Sequence, residues 1–369
     1  MNPPTLLNLA GFLGSWFDNL DINSTWTVYF FVAPLALVGI WCWRRERRHK
    51  RWYFWPLPLA LPILLLATLA GVNVYFGLYS RMGDLYGAYP FPTASVAEVQ
   101  SRVGKYTRGV SVQTTIPGTK SGINDSDALI WFPPQYFQQP ESKFPVIYLV
   151  PGTPGNFTDW ALGGNAIRTA QTSADAGKPA IIVSPSAEYT ELDDTECVNG
   201  AQGNWQDYLA TDVPDYVNSN FRTLTGGKNQ AIAGLSMGGY CAQILSLRNP
   251  QSFGFFGNFS GSTMPTYDDG MAALFGPVAN LETTVNSYTS TWVIKNQPES
   301  RTVKGQVYIG KQDEADLIAD EQAFVKAAKE LGMDVEFTTF DGQHSFYFWT
   351  TAFEKWLPWV LPQLGSPAK

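Results

Sequence analysis

The sequence predicts an α/β fold in which a mostly parallel central sheet of about eight strands carries helices on both faces. Short apolar runs bounded by Gly, Pro and Asp alternate with stretches of helical periodicity from about residue 86 onward. The runs are continuously apolar, which is typical of strands covered on both faces. Two long uncharged segments come before them and predict two transmembrane helices ahead of the folded domain.

Eight apolar runs are the predicted strands, an opening pair followed by six more. They read GVSVQTTIP, DALIWFP, FPVIYLVPG, PAIIVSP, QAIAGLS, FGFFGNFSG, GQVYIG and DVEFTTF. Between them, YLATDVPDYVNSNF predicts a helix, because four residues share one face, namely Leu209, Val213, Tyr216 and Val217. The stretch DEQAFVKAAKELGM predicts a second amphipathic helix, which Gly332 ends.

Two segments near the N-terminus are apolar enough to cross a membrane. No charged residue occurs in residues 22–43 or 52–80, and about 20 apolar residues in a helix span the hydrocarbon core. The predicted transmembrane helices cover about residues 24–43 and 56–78. A cleaved signal peptide is the alternative for the second segment, but the full-length span before it disfavours that interpretation.

The loop between these segments, residues 44–52, sets the expected orientation. Its sequence RRERRHKR holds six of the 25 Lys and Arg residues of the chain. Short loops rich in Lys and Arg stay in the cytoplasm, so both ends of the chain are expected outside it. The sequence therefore predicts a multi-pass protein of the cell membrane, with a membrane region over residues 1–85 and an extracytoplasmic domain over residues 86–369.

Composition excludes several other classes of protein. The net charge of −7 excludes nucleic-acid binding, which needs a basic surface. The chain has no Cys pair at short spacing and no phosphate-binding glycine motif, so we expect neither a metal site nor a cofactor. Cys42 lies in the first predicted span. Cys197 and Cys241 form either a disulfide in an oxidising exterior or two buried free thiols.

Ser236 is the first candidate functional residue. It stands in GLSMG, between the predicted strand QAIAG and a helix that begins MGGYCAQ. In this context the G-x-S-x-G pattern predicts a sharp turn, in which only small neighbours such as Gly234 and Gly238 avoid a clash. The serine oxygen is then exposed at the carboxyl end of the sheet, as in the α/β-hydrolase fold.

A serine hydroxyl needs a base before it can act as a nucleophile. The chain has only two histidines, and His49 lies in the loop predicted to be cytoplasmic. His344, in FDGQHSFYFW after the last predicted strand, is therefore the candidate base.

The third member of such a site is an acid that orients the histidine. Asp313 lies nearest the end of the strand QVYIG and is the first choice. Glu314 and Asp316 are alternatives, and acids here are also typical of a helix N-terminus. The chain order Ser236, Asp313, His344 is the order that α/β-hydrolases use.

Acyl transfer also needs donors for the oxyanion that forms on the attacked carbonyl. The expected donors are the backbone N–H of Met237, directly after the nucleophile, and that of Thr153 in the loop VPGTPGNFTDW. A plain Pro-Gly turn is the alternative for this loop. Ser260 and Ser262, in NFSGS after the sixth strand, are either pocket-lining or turn residues.

With these residues in hand, about residues 105–362 resemble the putative-esterase family of α/β-hydrolases, which includes esterase D-like enzymes and the antigen 85 mycolyltransferases. The most specific match is NWQDYLATDVPDYVNSNF followed by AIAGLSMGGYCAQILSLRNPQSFGFFGNFSGS. The segment YLVPGTPGNFTDW is similar to the family's oxyanion loop, and GQHSFYFW to its histidine loop.

The resemblance implies that Ser236 is the nucleophile, His344 the base, and Thr153 and Met237 the oxyanion donors. The segment GKQDEAD resembles the esterase D-like pattern with Asp313 as the acid. The mycolyltransferases use a glutamate in this region, which keeps Glu314 as the alternative. The two predicted spans distinguish this chain from the secreted mycolyltransferases.

The function expected from the sequence is that of a membrane-anchored serine esterase or acyltransferase acting on acyl esters of cell-envelope lipids or glycolipids. Hydrolysis of aminoacylated phospholipids or other small esters is the alternative. A non-catalytic binding module with the same fold is a third hypothesis. Several aromatic residues suit either an acyl chain or core packing, namely Phe157, Trp160, Trp205, Phe346 and Tyr347.

Overall fold

The structure is a computed structural model. It describes residue 17 and residues 20–22, 24–46, 57–76, 79, 81–86, 92–101 and 106–367. The chain forms two compact units, the smaller made of Met1–Pro90 and Ser345–Tyr347, and the larger of Phe91–His344 and Phe348–Lys369.

The strands lie in the larger unit. In chain order they are β1 (Val110–Ile116), β2 (Ser126–Phe132), β3 (Val146–Val150), β4 (Ile181–Pro185), β5 (Asn199–Gly200), β6 (Gly203–Asn204), β7 (Gln230–Leu235), β8 (Phe255–Phe259), β9 (Lys304–Gly310) and β10 (Val335–Phe340). Strands β5 and β6 pair with each other, and the other eight form one sheet in the order β1-β2-β4-β3-β7-β8-β9-β10. Each of the eight predicted apolar runs forms one of these strands.

The sheet is mostly parallel. Strand β2 is antiparallel to both of its neighbours, β1 and β4. The remaining neighbours pair in parallel, from β4 across to β10. The carboxyl ends of β3, β7, β8, β9 and β10 therefore meet at one edge of the sheet, and the predicted α/β-hydrolase fold is confirmed.

The described helices connect and cover these strands. They are α1 (Thr25–Glu46), α2 (Leu57–Phe76), α3 (Val96–Gln100), α4 (Pro134–Gln138), α5 (Asp159–Leu162), α6 (Ala166–Asp175), α7 (Trp205–Asp207), α8 (Val213–Asn220), α9 (Met237–Arg248), α10 (Met271–Phe275), α11 (Leu281–Ser287), α12 (Ser290–Asn296), α13 (Ala315–Glu330) and α14 (Phe346–Val360). Every residue of β3, β4, β7 and β8 is buried. The central strands are thus covered on both faces, as their continuous apolar sequences predict.

The helix predicted over YLATDVPDYVNSNF is interrupted by π-type turns. It comprises the π-type turns Tyr208–Asp212 and α8, and α7 directly precedes it. Pro214 has no N–H to donate to the carbonyl of Ala210, and the hydroxyl of Ser252 donates to that carbonyl at 3.1 Å instead. The predicted apolar face still faces the core, since Leu209, Val213 and Val217 are buried.

The smaller unit holds both predicted transmembrane segments, and both are helical. Among the described residues, one helix is long and apolar enough to cross a membrane, Thr25–Arg44. It has 20 residues and a mean hydropathy of 1.7, and none of its apolar stretch is buried. The described apolar part of α2 is the shorter stretch Ala60–Val74. The second span therefore stays a prediction. Most of the basic loop 44–52, on which the orientation depends, lies outside the described residues.

A polar side chain joins the segments that flank the two helices of the smaller unit. Asn73, near the end of α2, is buried. Its amide nitrogen donates to the carbonyls of Ile22 and Tyr79, and its oxygen accepts from the N–H of Tyr79. The segment before α1 is thus held beside the segment after α2.

Candidate active site

Ser236 occupies a strained turn between β7 and α9. Its φ of 53° and ψ of −126° lie in a region that residues with a side chain rarely adopt. A Cβ on Gly234 would lie 1.9 Å from the carbonyl oxygen of Gly238, and one on Gly238 would lie 2.2 Å from that of Pro151. The turn exists only because both neighbours are glycines, and it directs the serine hydroxyl away from the sheet.

Ser236, His344 and Asp313 form one chain of hydrogen bonds. The Nε2 atom of His344 lies 2.9 Å from Oγ of Ser236, and its Nδ1 atom lies 2.9 Å from Oδ1 of Asp313. Asp313 follows β9 and His344 follows β10, so parallel neighbouring strands deliver both side chains to the same edge as Ser236. The structure thus brings together the three residues that the sequence singled out. In this geometry the histidine can accept the serine proton while the carboxylate stabilises the imidazolium.

The carboxyl of Asp313 is surrounded by donors. Its side chain is only 2% exposed. Its Oδ2 atom accepts from the hydroxyl of Ser260 at 2.7 Å and from the N–H of Gly310 at 3.3 Å. Burial opposes the charged form, but the hydrogen bonds from His344 and Ser260 outweigh it and lower the pKa of this carboxyl. Asp313 is therefore an anion beside His344.

The alternative acids lie elsewhere. Glu314 precedes the first residue of α13, and Asp316 lies in the first turn of that helix. Both are exposed, and within the described part of the chain neither is hydrogen-bonded to His344. Their positions suit the helix N-terminus, where acids are favourable.

The loop after β3 lies against the turn that carries Ser236. A Cβ on Gly152 would lie 3.2 Å from Cβ of Ser236, so Thr153 begins directly beside the serine. Met237 is the first residue of α9. Among the described residues, the backbone N–H groups of Thr153 and Met237 donate to no protein acceptor. Both N–H groups lie beside Ser236 without an acceptor among the described residues, and their role as oxyanion donors stays a prediction.

A buried glutamate lies behind Thr153 and was not predicted from the sequence. The hydroxyl of Thr153 donates to Oε2 of Glu188 at 3.0 Å, and Oε1 of Glu188 has no hydrogen-bond partner among the described residues. Burial, helped by the charges of Asp194 and Asp193, outweighs the hydrogen bond from Thr153 and raises the pKa of Glu188 to about 8. Glu188 is therefore mostly neutral at neutral pH.

The loop that carries Glu188, residues 186–198, is joined to α9 by a disulfide. Cys197 and Cys241 are bonded, with their Cα atoms 5.6 Å apart and a sequence separation of 44. The Sδ atom of Met237 lies 3.0 Å from Sγ of Cys241 and 3.8 Å from Sγ of Cys197. The disulfide thus packs against the residue that follows Ser236.

The sequence left it undecided whether several aromatic side chains line a pocket or belong to the core. Trp160 and Trp205 are fully buried, and Nε1 of Trp160 donates to the carbonyl of Val150 at 2.8 Å. Both belong to the core. Tyr347, by contrast, is 64% exposed. Trp349, in α14, was noted only as part of the histidine loop, and its ring meets the ring of His344 edge-on with centroids 4.9 Å apart.

Ser260 is the second residue whose place the sequence did not predict. The sequence left two interpretations of Ser260, a pocket-lining residue or a turn residue. In the structure its hydroxyl donates to Asp313. Ser262 is a turn residue, because its hydroxyl donates to the carbonyl of Met264. Within the described residues no group of three or more His, Cys, Asp or Glu side chains is placed to hold a metal ion.

The fold and this hydrogen-bonded serine, histidine and aspartate define a serine hydrolase of the esterase type. A model of the family described as "Putative esterase" matches residues 124–360. The chain belongs to this family.

Comparison with known proteins gives relatives that are similar in sequence and a solved structure that is similar in fold. An uncharacterized protein of Corynebacterium glutamicum is 29% identical over 323 residues, covering 82% of this chain and 75% of that protein. The MPT51/MPB51 antigen of Mycobacterium tuberculosis is 32% identical over 110 residues, or 30% of this chain and 34% of the antigen. A solved ferulic acid esterase shares the fold, with a TM-score of 0.59 and 21% identity over 70% of this chain and 99% of that esterase.

Glu188 gives a prediction for stability against pH. The folded state keeps a proton on Glu188 up to a pKa of about 8, whereas an ordinary glutamate loses it near 4.5. The free energy of unfolding should therefore fall as the pH rises between these two values. We expect Glu188→Gln to reduce this slope, measured as the thermal unfolding midpoint across the same range. The control Glu354→Gln, at an exposed position on α14, should keep the slope. Equal slopes in both variants would contradict the assignment.

Proposed function

We propose that the chain is a membrane-anchored serine esterase or acyltransferase that acts on acyl esters of cell-envelope lipids or glycolipids. The observation that carries this proposal is the chain of two 2.9 Å contacts that links Ser236, His344 and Asp313. A serine activated in this way attacks a carboxylic ester carbonyl and forms an acyl-enzyme.

The proposed reaction has two halves. In the first, Nε2 of His344 takes the proton of Ser236 as the serine oxygen bonds to the ester carbonyl carbon, and the N–H groups of Thr153 and Met237 stabilise the oxyanion. The protonated histidine then gives its proton to the leaving alcohol. In the second half, His344 takes a proton from water or an acceptor alcohol as the oxygen of that molecule bonds to the acyl carbonyl carbon. His344 then gives this proton to Oγ of Ser236 as the bond between the serine and the acyl group breaks and the product leaves. Water makes the enzyme an esterase, and an acceptor alcohol makes it an acyltransferase.

The lipid substrate is supported by the smaller unit and by the family. The exposed apolar helix Thr25–Arg44 is suited to a membrane, and a second span over α2 would complete a two-span anchor. Tethering holds a catalytic domain near lipid head groups and raises its effective concentration there. The resemblance of this chain to the antigen 85 mycolyltransferases is a second support for a lipid ester, and a mycobacterial protein, the MPT51/MPB51 antigen, is similar over 30% of this chain.

Aminoacylated phospholipids are the second candidate substrate, and one observation favours them. Three carboxyl side chains of the loop 186–198 are at least partly exposed, those of Glu191, Asp193 and Asp194, and no Lys or Arg occurs between Lys178 and Arg222. This loop contacts the proposed oxyanion loop, where the N–H of Gly155 donates to the carbonyl of Glu191 at 3.1 Å. A negative rim attracts a cationic group, such as the amino group of an aminoacyl ester.

The role of the acid is tested by paired substitutions. Asp313→Asn leaves the histidine without its anionic partner, and we expect the hydrolysis of a p-nitrophenyl ester to fall by about 10³- to 10⁴-fold. Glu314→Gln, at the neighbouring exposed carboxyl, is the matched control and should stay close to wild type. The reverse result would move the proposed acid to Glu314.

The proposed topology is tested with a reporter. Alkaline phosphatase fused after Lys369 should be active, because it folds only outside the cytoplasm, and a cytoplasmic reporter at the same point should be inactive. Replacing the basic residues of loop 44–52 with glutamine should mix the two orientations. An active cytoplasmic reporter on the unaltered chain would contradict a two-span anchor with an outward domain.

Lipid profiling of cells that carry wild-type or Ser236→Ala protein identifies the substrate. We expect the Ser236→Ala cells to accumulate the ester that the enzyme consumes and to lack its product. Accumulated acyl glycolipid donor would support the first candidate, and accumulated aminoacylated phospholipid would support the second. Identical ester lipids in both cells, together with no labelling of Ser236 by a fluorophosphonate, would overturn both and favour a binding module.

A further inference from the structure

Ser260 lies behind the proposed triad, in the turn after β8. It is 2% exposed and has a φ of 56°. Its N–H donates to the carbonyl of Tyr308 in β9 at 2.8 Å. Its hydroxyl donates to Oδ2 of Asp313 at 2.7 Å. The positive φ of Ser260 directs its hydroxyl toward the end of β9, where it contacts Asp313.

A buried network holds this turn in place. Oδ1 of Asn258 accepts from the N–H of Gly261 at 2.7 Å, which closes the turn around Ser260. Nδ2 of Asn258 donates to Oε1 of Glu321 at 2.9 Å and to Oε1 of Gln243 at 3.0 Å. The side chains of Asn258, Glu321 and Gln243 are fully buried. Helices α9 and α13 therefore fix the turn from two sides.

The two oxygens of Asp313 have different partners, and the second depends on Ser260. Oδ1 faces Nδ1 of His344. In the part of the chain that the structure describes, the donors to Oδ2 are the hydroxyl of Ser260 and, at the longer distance of 3.3 Å, the N–H of Gly310. A carboxylate held at both oxygens has a fixed plane. A buried carboxylate oxygen without a close donor pays a desolvation cost, so its charged form is disfavoured.

We propose that Ser260 is a positioning residue that holds the carboxylate of Asp313 ionised and oriented toward His344. It touches neither the substrate nor Ser236, and it acts through Asp313. This inference rests on the proposed function, since it assigns Ser260 a role in the reaction of the same triad.

The test compares Ser260→Gly and Ser260→Ala in the full chain with Ser262→Ala as the matched control. Glycine accepts a positive φ without strain, so Ser260→Gly removes the hydroxyl and keeps the turn. We expect kcat for a p-nitrophenyl ester to fall by about 10- to 100-fold in both Ser260 variants, the effect of one hydrogen bond to a charged group, with KM unchanged. Ser262→Ala should keep wild-type values, because that hydroxyl faces the carbonyl of Met264.

A spectroscopic readout separates positioning from a structural role. The chain has two histidines, so the low-field proton of the bond between His344 and Asp313 can be assigned by difference from a His344→Gln sample. We expect this resonance to shift or vanish in Ser260→Gly and to persist in Ser262→Ala. Ser260→Cys, which keeps a weak donor, should be intermediate in kcat. If the glycine variant fails to fold, the kcat of Ser260→Cys provides the test in its place.

Two outcomes would overturn the inference, and a third concerns the proposed function alone. Wild-type kcat and an unmoved resonance in Ser260→Gly would show that the hydroxyl does not position Asp313. Loss of activity in Ser260→Ala alone would assign the effect to the backbone. If the wild-type protein is not labelled by a fluorophosphonate at Ser236, the proposed function itself fails. This labelling experiment is therefore done before any Ser260 variant is measured.

Discussion

The backbone of Ser236 is the constraint on which the rest of the site depends. A non-glycine residue at a φ of 53° costs roughly 1–3 kcal/mol, so the surrounding packing must hold it there. The packing is backbone on backbone, since Gly234 meets Gly238 and Gly238 meets Pro151 at distances that leave no room for a Cβ. The same approach brings Gly152 against Ser236. The turn that exposes the serine therefore also places the loop that carries Thr153.

Two buried carboxyls near this turn, those of Asp313 and Glu188, differ in charge state. Asp313 has donors on both oxygens, and the pKa of its carboxyl is lowered despite burial. Oε2 of Glu188 accepts from the hydroxyl of Thr153, its Oε1 has no hydrogen-bond partner among the described residues, and burial raises its pKa to about 8. Local donors, and not burial alone, decide the charge. The result is a negative charge beside His344 and a neutral group beside Thr153, which suits a site that must form both an imidazolium and an oxyanion.

The sequence predicts those features that depend on local pattern and on strand order. All eight strands follow from apolar runs, and Ser236, Asp313 and His344 come together because each follows a strand that ends at the same edge. Ser260 was not predicted, because its contact with Asp313 requires the pairing of β8 with β9 and a positive φ. Glu188 was not predicted either. It lies in an aperiodic loop, and only the fold brings that loop to Thr153. The π-type turns Tyr208–Asp212 are a third difference, although Pro214 marks their position.

The disulfide and the basic loop support the same orientation by unrelated physics. A bond between Cys197 and Cys241 persists in an oxidising compartment, which the cytoplasm is not. The basic loop 44–52 favours the cytoplasm through charge, and in the proposed two-span topology the domain after the second predicted span would lie outside. The bond has a further consequence for the site. It anchors the loop that carries Glu188 to the helix that begins at Met237, so the supports of both proposed oxyanion donors are covalently joined. Reduction would break this covalent link, which the proposed extracytoplasmic location would preserve.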